Sequence, residues 1–513
     1  MTSNHPQTVK VHKKLEEKCG IIGVFTKRHT ASLPFALSAA NGVQHRGQQG
    51  TGLAIKTKKR LITYKDNGLV NEVFTSSKIK KFNQRSQWIL VHCRYGTYGT
   101  YNKENLQPCV ATALNGEQIA VVHNGEFVAS AKINNMLKKK FPRGTSDTYL
   151  FTQLLAQTEG ATWEEKILTA LSKVKGSYSL IMAVDGKMFA ARDKFGIRPL
   201  VIGKTRDGWL VASETYALDK LGVKVEREIK KGEVVVIDKS GLKVIRKEST
   251  NPHHFCDFEW AYFSKPNSLL PTNESKQMNK NTDEWLAVAA FRERCGNVVA
   301  KEFPIPNATF VVGVPDSGIS FTTAYAHSLH LSYRQVIIRD HFDPHGIQRL
   351  FMRDDEKELI GKKVLGKLAL VPDKHIWKDA IVVIGDDSVV RGNVSQQITK
   401  AIFSLGAKEV HWIIGYPPVL HRCHLGVSIR TREELIAPHN HADPKKIAKE
   451  IGATSVNYIS SQGFIQARLL KTEIKIPKNP REIFLANGGC GGCITGLYPV
   501  SRTGEIYELN GHK

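Results

Sequence analysis

The sequence predicts a chain of two or three domains, its C-terminal half an α/β fold built on a parallel sheet with ligand loops at the strand ends. Three observations carry this. The chain has 513 residues, enough for two or three cores. Residues 381–395 read IVVIGDDSVVRGNVS: four β-branched residues in a row mark a strand buried on both faces, and the helical stretch QQITKAIFSLGA follows. About seventy residues earlier TFVVGVPDSGIS repeats the arrangement of apolar strand, small-residue loop and helix.

Each of these loops has a chemistry. Backbone N–H groups at a strand-loop-helix junction face an anion, and the helix N-terminus favours it. In the later loop Asp386 and Asp387 sit where the strand ends, followed by Ser388, Arg391, Gly392, Asn393 and Ser395. Carboxylates accept hydrogen bonds from vicinal hydroxyls, so a ribose 5-phosphate fits, sugar on the acids and phosphate in the loop. A plain surface turn is the competing reading; the apolar strand before and the Arg-Gly after count against it. In the earlier loop Pro315-Asp316-Ser317-Gly318 is a candidate pyrophosphate loop, with the Ser317 hydroxyl and the two acids as oxygen ligands for Mg²⁺. Alone it reads as a type I turn; beside the Asp-Asp loop it reads as half of a site.

Composition narrows the class. At 41% hydrophobic and 24% charged residues the chain is an ordinary globular protein. No apolar run reaches membrane-spanning length, and the first eighteen residues lack the apolar core of a secretory signal, so a cytoplasmic, reducing setting is expected. The net charge is +25, but the clusters at 56–60, 78–81 and 138–140 are dispersed and carry no interleaved aromatics. Nucleic-acid binding needs basic charge gathered on one face; a solvated basic surface with some pull on anionic substrates is expected instead. Eight cysteines in a reducing setting point to catalysis or metal rather than disulfides.

In the N-terminal half, Cys19 opens the strand CGIIGVF. Alone it would be a small buried residue. Three later stretches change that: the turn Gln44-His45-Arg46-Gly47-Gln48, the strand WILVHCR ending in Arg94, and VVHNGEF, a strand running into Asn124-Gly125. Asp147 then stands at a helix start, where it or Ser146 caps the helix. These parts assemble into a glutamine site. Arg94 forks onto the α-carboxylate and Asp147 takes the α-ammonium. The Asn124 side chain and Gly125 N–H form an oxyanion hole, and Cys19 is the nucleophile. No histidine serves as base, but an N-terminal residue can use its own α-amine, which requires removal of residues 1–18.

Residues 19–240 resemble a class II glutamine amidotransferase domain, which implies an α+β N-terminal-nucleophile hydrolase fold of four αββα layers. GSYSL (176–180), RDKFGIRPL (192–200) and ASETYAL (212–218) match the same family, and the resemblance implies autocatalytic removal of a leader such as residues 1–18. Residues 241–285 are a connection with a polar surface insertion. Residues 286–303 read as a helix with Cys295 in its packing, opening a segment 286–470 that resembles a type I phosphoribosyltransferase domain, doubly wound with ligands at the C-terminal strand edges. Residues 471–513 form a last segment whose stretch from 500 reads as a tail.

The order of the two domains is similar to that of the amidophosphoribosyltransferases, which draw ammonia from glutamine and transfer it to phosphoribosyl diphosphate. Cys490 and Cys493 form one C-x-x-C pair, and with Cys256 and Cys423 they supply four thiolates, enough for [4Fe–4S] or, as the lesser alternative, Zn²⁺. Their surroundings resemble the ligands of the family's iron–sulfur branch, where the cluster is structural. The resemblance further implies a homodimer or homotetramer with purine nucleotides as feedback inhibitors. Departures exist. The loop 338–367 differs from the family's pattern: Arg349 and Lys367 align, Lys367 as a phosphoribosyl diphosphate ligand, but Ile360 stands where an arginine is usual. Asn393-Val394 replaces two threonines. Two alternatives remain at this point, an enzyme of a specialised pathway delivering nitrogen elsewhere and a non-catalytic phosphoribosyl diphosphate sensor.

Overall fold

Thirteen strands build the N-terminal part, and their side-chain alternation dictates its layers. They are β1 (Gly20–Thr30), β2 (Gly50–Thr57), β3 (Leu61–Asn67), β4 (Ser86–Arg94), β5 (Cys109–Thr112), β6 (Gln118–Phe127), β7 (Gly176–Val184), β8 (Lys187–Arg192), β9 (Val201–Thr205), β10 (Gly208–Ala212), β11 (Val225–Glu228), β12 (Val234–Asp238) and β13 (Gly241–Arg246). The computed structural model describes residues 19–94, 105–272, 285–339, 368–429 and 431–509. Among them the strands form two antiparallel sheets, in the orders β11-β9-β10-β1-β4-β2-β3 and β13-β12-β8-β7-β6-β5.

Successive side chains point to opposite faces of a sheet, and here both faces are apolar. In β4, Trp88 and Leu90 enter one core while Ile89, Val91 and Cys93 enter another. In β6, Ala120 and Val122 join Trp88 and Leu90, while Ile119 and Val121 face away. The shared core thus lies between the sheets, and the Trp88 indole N–H reaches across it to the Val184 carbonyl at 2.8 Å. The outer faces are covered by α1 (Leu33–Gly42) on the first sheet and by α2 (Asp147–Gln157) and α3 (Trp163–Ser172) on the second. These are the four αββα layers expected.

The chain divides into two units. Among the described residues one comprises Cys19–Cys295, His421–Ser428 and the stretch from Ser460; the other comprises Gly296–Leu420 and Ile429–Ile459. The boundaries expected at 286 and 470 are therefore displaced. The first falls inside α4 (Val288–Glu302), at Cys295, which is buried in its packing. The stretch from 500 is no tail: Val500 pairs with Ile506, and the Tyr507 hydroxyl donates to Glu482 at 2.8 Å.

The second unit carries a parallel sheet in the order β14 (Phe310–Gly313), β15 (Ile381–Asp386), β16 (Glu409–Ile414), β17 (Ser455–Tyr458). Phe310, Val312, Val382, Ile384, Val410 and Trp412 pack on one face with α6 (Asn393–Ser404) and α7 (Pro444–Ile451). Val311, Val383 and Ile413 are equally buried on the other face, where α5 (Gly318–Ser328) lies against β14 and β15. Coverage on both faces is why these strands read as unbroken apolar runs. No helix among the described residues is long and apolar enough to cross a membrane.

Candidate functional site

Cys19 immediately precedes β1 and is 9% exposed. Gly20 pairs with Cys93 on β4, which brings the end of that strand, and so Arg94, beside the thiol. The turn Gln44–Arg46 follows α1 as expected, and Gly47 lets it rest on the strand end: a Cβ there would lie 2.3 Å from the Cys93 carbonyl oxygen. Burial pushes the Cys19 thiol up to about 11; Arg94 and Arg46 pull it down and Asp147 pushes it up. The structure thus brings Cys19, Arg94 and Asp147 within electrostatic reach of one another. No histidine is among the groups acting most strongly on the thiol, and burial lowers the pKa of His92 and His123.

Asn124 lies near the end of β6, opposite Ser179. Its side chain is fully buried, and neither Oδ1 nor Nδ2 has a hydrogen-bond partner among the described residues. A buried polar group left so costs on the order of 1–3 kcal/mol, a cost proteins accept where a ligand completes the pair. Gly125 follows at φ +147, with a hypothetical Cβ 2.1 Å from the Ser177 carbonyl oxygen, so only glycine fits. Ser146 caps α2, accepting from Tyr149 N at 3.2 Å. Asp147 is aimed by two backbone donors, Phe127 N on Oδ2 and Thr148 N on Oδ1, each at 2.8 Å. Arg94 donates to the Asn105 carbonyl.

Sequence reasoning missed the frame around this site. Arg46 is fully buried; its guanidinium reaches the Cys19 carbonyl at 3.3 Å, Glu214 at 2.5 Å and Glu259 at 2.8 Å. Glu259 also takes Arg198 at 3.2 Å, and Glu214 takes His45 at 2.9 Å. Burial raises the pKa of Glu214, yet His45 and Arg46 outweigh it and hold the carboxylate well below its usual range. The signal was present: Arg46 lies in QHRGQ, a turn read as part of the glutamine site, and Arg198 and Glu214 lie in RDKFGIRPL and ASETYAL, motifs noted for resemblance; none of the three residues was given a role.

In the second unit the two candidate loops are neighbours, because β14 and β15 pair directly with Gly313 opposite Gly385. The approach is close. A Cβ on Gly318 would lie 2.6 Å from the Gly385 carbonyl oxygen, and one on Gly385 would lie 2.0 Å from Thr322 Oγ1. Ser317 precedes α5, and the Pro315–Asp316 peptide is cis. Asp316 is exposed and pairs with Arg339 at 2.6 Å. Asp387 N donates to Asp386 Oδ1 at 2.8 Å, and Ser388 Oγ donates to Asp387 Oδ1 at 2.7 Å. Gly392, at φ +78, begins α6 against Ile436, and Ser395 is buried in its first turn. Arg391 forms an ion pair with Glu434, which ties the loop to the segment after residue 430. Arg349, Ile360 and Lys367 lie outside the described residues.

The four cysteines belong to the first unit. Phe255–Cys256 and Gly489–Cys490 form a short parallel pair with Cys256 opposite Cys490. His421 N donates to the Cys493 carbonyl at 2.9 Å, which brings the Cys423 segment alongside. Among the described residues no three His, Cys, Asp or Glu side chains converge at metal-ligand geometry. Four sulfurs are the donor set that a [4Fe–4S] cluster or Zn²⁺ takes. Burial pushes the Cys256, Cys423 and Cys490 thiols up, Cys423 to about 11, and backbone N–H groups act against it, from Glu259 on Cys256, from Leu425 and Val427 on Cys423 and from Gly492 on Cys490. The same hydrogen bonds tune cluster thiolates. Elsewhere, a basic cleft lined by His29, Lys58, Lys59, Arg60 and Arg85 gathers none of the residues of either site.

A glutamine amidotransferase domain family matches residues 94–220. The amidophosphoribosyltransferase of Bacillus subtilis is 30% identical over 97% of this chain and 96% of its own length, and that of Homo sapiens is 32% identical over 95% and 98%. Among solved structures, the Bacillus subtilis glutamine phosphoribosylpyrophosphate amidotransferase complexed with ADP and GMP superposes with a TM-score of 0.80 at 30% identity, covering 96% of this chain and 98% of that one. A structure described as the allosteric regulatory enzyme of purine biosynthesis also superposes at 0.80, with 31% identity and 96% and 97% coverage.

Proposed function

The chain belongs to the amidophosphoribosyltransferases, which use glutamine and 5-phosphoribosyl 1-diphosphate to make 5-phosphoribosylamine, glutamate and pyrophosphate in the first step of purine biosynthesis, and we propose how its own residues divide that work. Cys19 attacks the glutamine amide carbon while Arg94 holds the α-carboxylate and Asp147 the α-ammonium. Asn124 Nδ2 and Gly125 N–H take the oxyanion, which needs donors placed before charge develops. The α-amine of Cys19, freed by loss of residues 1–18, takes the thiol proton and returns it to the leaving ammonia. Water then hydrolyses the thioester. One observation carries this reading: a fully buried Asn124 amide with neither atom partnered among the described residues, one residue before a glycine at φ +147.

In the second unit Asp386 and Asp387 hold the ribose hydroxyls, and Ser388, Gly392 and Ser395 cradle the 5-phosphate. Asp316, Ser317 and Gly318 face the diphosphate, with Lys367 from outside the described residues. Ammonia adds at C1 as pyrophosphate departs, and no protein nucleophile is needed. The chain's part is to hold the sugar in line for displacement. Arg391, through Glu434, positions the loop. Ser317, Asp386 and Asp387 would hold Mg²⁺, which would supply charge compensation for the diphosphate.

Cys256, Cys423, Cys490 and Cys493 would hold a [4Fe–4S] cluster, with Zn²⁺ the alternative, as a structural tie between the Cys256 strand, the 421–428 segment and the C-terminal stretch. Homo-oligomers and purine nucleotide control, consistent with a relative solved with ADP and GMP, and a cytoplasmic location complete the reading. The test is glutamine-dependent pyrophosphate release, with iron and sulfide measured on the same anaerobic sample. One pyrophosphate per glutamate is expected, with iron and sulfide in equal amounts. Glutamate formed without pyrophosphate would overturn the second site, and zinc without sulfide would replace the cluster.

A further inference from the structure

Residues 421–428 are flanked in sequence by the second unit on both sides, yet they belong to the first. Their contacts say what they do there. The Leu425 carbonyl accepts from the Ser177 hydroxyl at 2.7 Å and from the Arg198 guanidinium at 2.5 Å. Ser177 is no remote partner: it pairs with Glu126, directly after Gly125, and its own carbonyl oxygen is what a Cβ on Gly125 would strike at 2.1 Å. Gly426 closes the other side. It sits at φ +93, and a Cβ there would lie 2.9 Å from the Gly125 carbonyl carbon and 3.1 Å from its Cα and oxygen. Gly125 is thus held between Ser177 and Gly426.

The strap is anchored along its length. His421 N donates to the Cys493 carbonyl at 2.9 Å and the Tyr498 hydroxyl to the Arg422 carbonyl at 2.8 Å. His424 Nε2 lies 2.7 Å from the Val500 carbonyl. Through Arg198 and Glu259 it also joins the ion network that ends on the Cys19 carbonyl.

We propose that this strap positions the oxyanion peptide of the glutamine site: Gly426 and Leu425 act through Gly125 and Ser177, so that a segment encoded within the phosphoribosyl half of the sequence sets the rate of amide hydrolysis. The proposal rests on the reading of Asn124 and Gly125 as the oxyanion hole. Its physical basis is that an oxyanion donor works only if fixed before the charge appears, so a peptide displaced by a few tenths of an ångström loses much of its effect. Gly426, Leu425 and Ser177 are positioning residues, since none reaches the reacting atoms themselves.

The test compares Asn124→Ala, Gly426→Ala and Ser177→Ala in the matured full-length protein. It measures kcat and KM for glutamine hydrolysis, pyrophosphate release with ammonia, and alkylation of Cys19 by iodoacetamide, a displacement that forms no oxyanion. Asn124→Ala should lower kcat by about 100-fold, the usual effect of losing one donor, and Gly426→Ala by roughly 30-fold or more. Ser177→Ala, which adds no atom and keeps the test alive if Gly426→Ala does not fold, should lower kcat by about 5- to 10-fold. In the strap variants KM, ammonia use and alkylation should stay within about two-fold of the parent, a split that general loosening would not give. Parental kcat in Ser177→Ala and in any folded Gly426→Ala, with Asn124→Ala impaired, would overturn the strap alone. So would a fall in all four readouts together. Parental kcat in Asn124→Ala would overturn the oxyanion reading and the strap with it.

Discussion

The two halves of this chain hold their ligand-facing groups in opposite ways. In the first unit the working side chains are buried and aimed by other side chains or by backbone donors: Asp147 by two N–H groups, the Cys19 carbonyl by Arg46, and Arg46 by two carboxylates. In the second unit the site is made by main chain brought close, with Gly318 and Gly385 admitting an approach that no Cβ would permit, while Asp316 is exposed and Asp386 half-buried. The difference follows from the reactions. Amide hydrolysis needs a nucleophile, donors and a proton carrier fixed in a dry place. Displacement at a sugar carbon needs no protein nucleophile, only a cradle for the phosphates and a hold on the ribose hydroxyls.

The largest effect that would sharpen the contrast comes from the acidic pair. Asp386→Asn with Asp387→Asn should lower pyrophosphate release by at least about 1000-fold with either nitrogen source, since the sugar is no longer held in line. Basal glutamine hydrolysis should persist, and coupled loss of hydrolysis in a folded protein would break the comparison. Next is the frame of the first site. Arg46→Met leaves Glu214 and Glu259 buried without their common partner, which should cost on the order of 3–5 kcal/mol in denaturant unfolding. A change under about 1 kcal/mol would mean the network is not what holds the site. The smallest effect concerns the thiol. With its pKa pushed up to about 11 by burial, Cys19 in a chain still carrying residues 1–18 is neutral at pH 7. Alkylation should then rise about tenfold per pH unit from pH 7 to 10, because only the thiolate reacts. A plateau below pH 9 would show a thiol activated before maturation.

How much of this was legible in the sequence depended on distance along the chain. β15 and its Asp-Asp loop were readable because a strand covered on both faces leaves an unbroken apolar run and its loop follows at once. The candidate glutamine site is written in pieces, since Cys19, Arg94 and Asp147 stand at element ends, Asn124 lies within β6, and none announces its chemistry alone. The residues of the ion network stand in motifs that the sequence shows, but their pairing was not readable: Arg46 meets Glu214 and Glu259 across 168 and 213 residues, and local pattern carries no trace of such a pairing. Arg391 was read as a phosphoribosyl diphosphate ligand because it sits in the loop; its ion pair with Glu434, 43 residues on, was not readable. The displaced domain boundaries have the same cause. A helix pattern shows where α4 begins, not that the division falls within it, and nothing in PPVLHRCHLGVSI says that eight residues leave one unit for the other.

The central claim is that nitrogen leaves glutamine at Cys19 and joins the ribose at a separate site that does not need that thiol. Cys19→Ala tests it most directly, with pyrophosphate release measured once with glutamine and once with ammonia as the nitrogen source. The account predicts no release above background with glutamine and a rate within about two-fold of the parent with ammonia. Glutamine-dependent release that survives the substitution would contradict it.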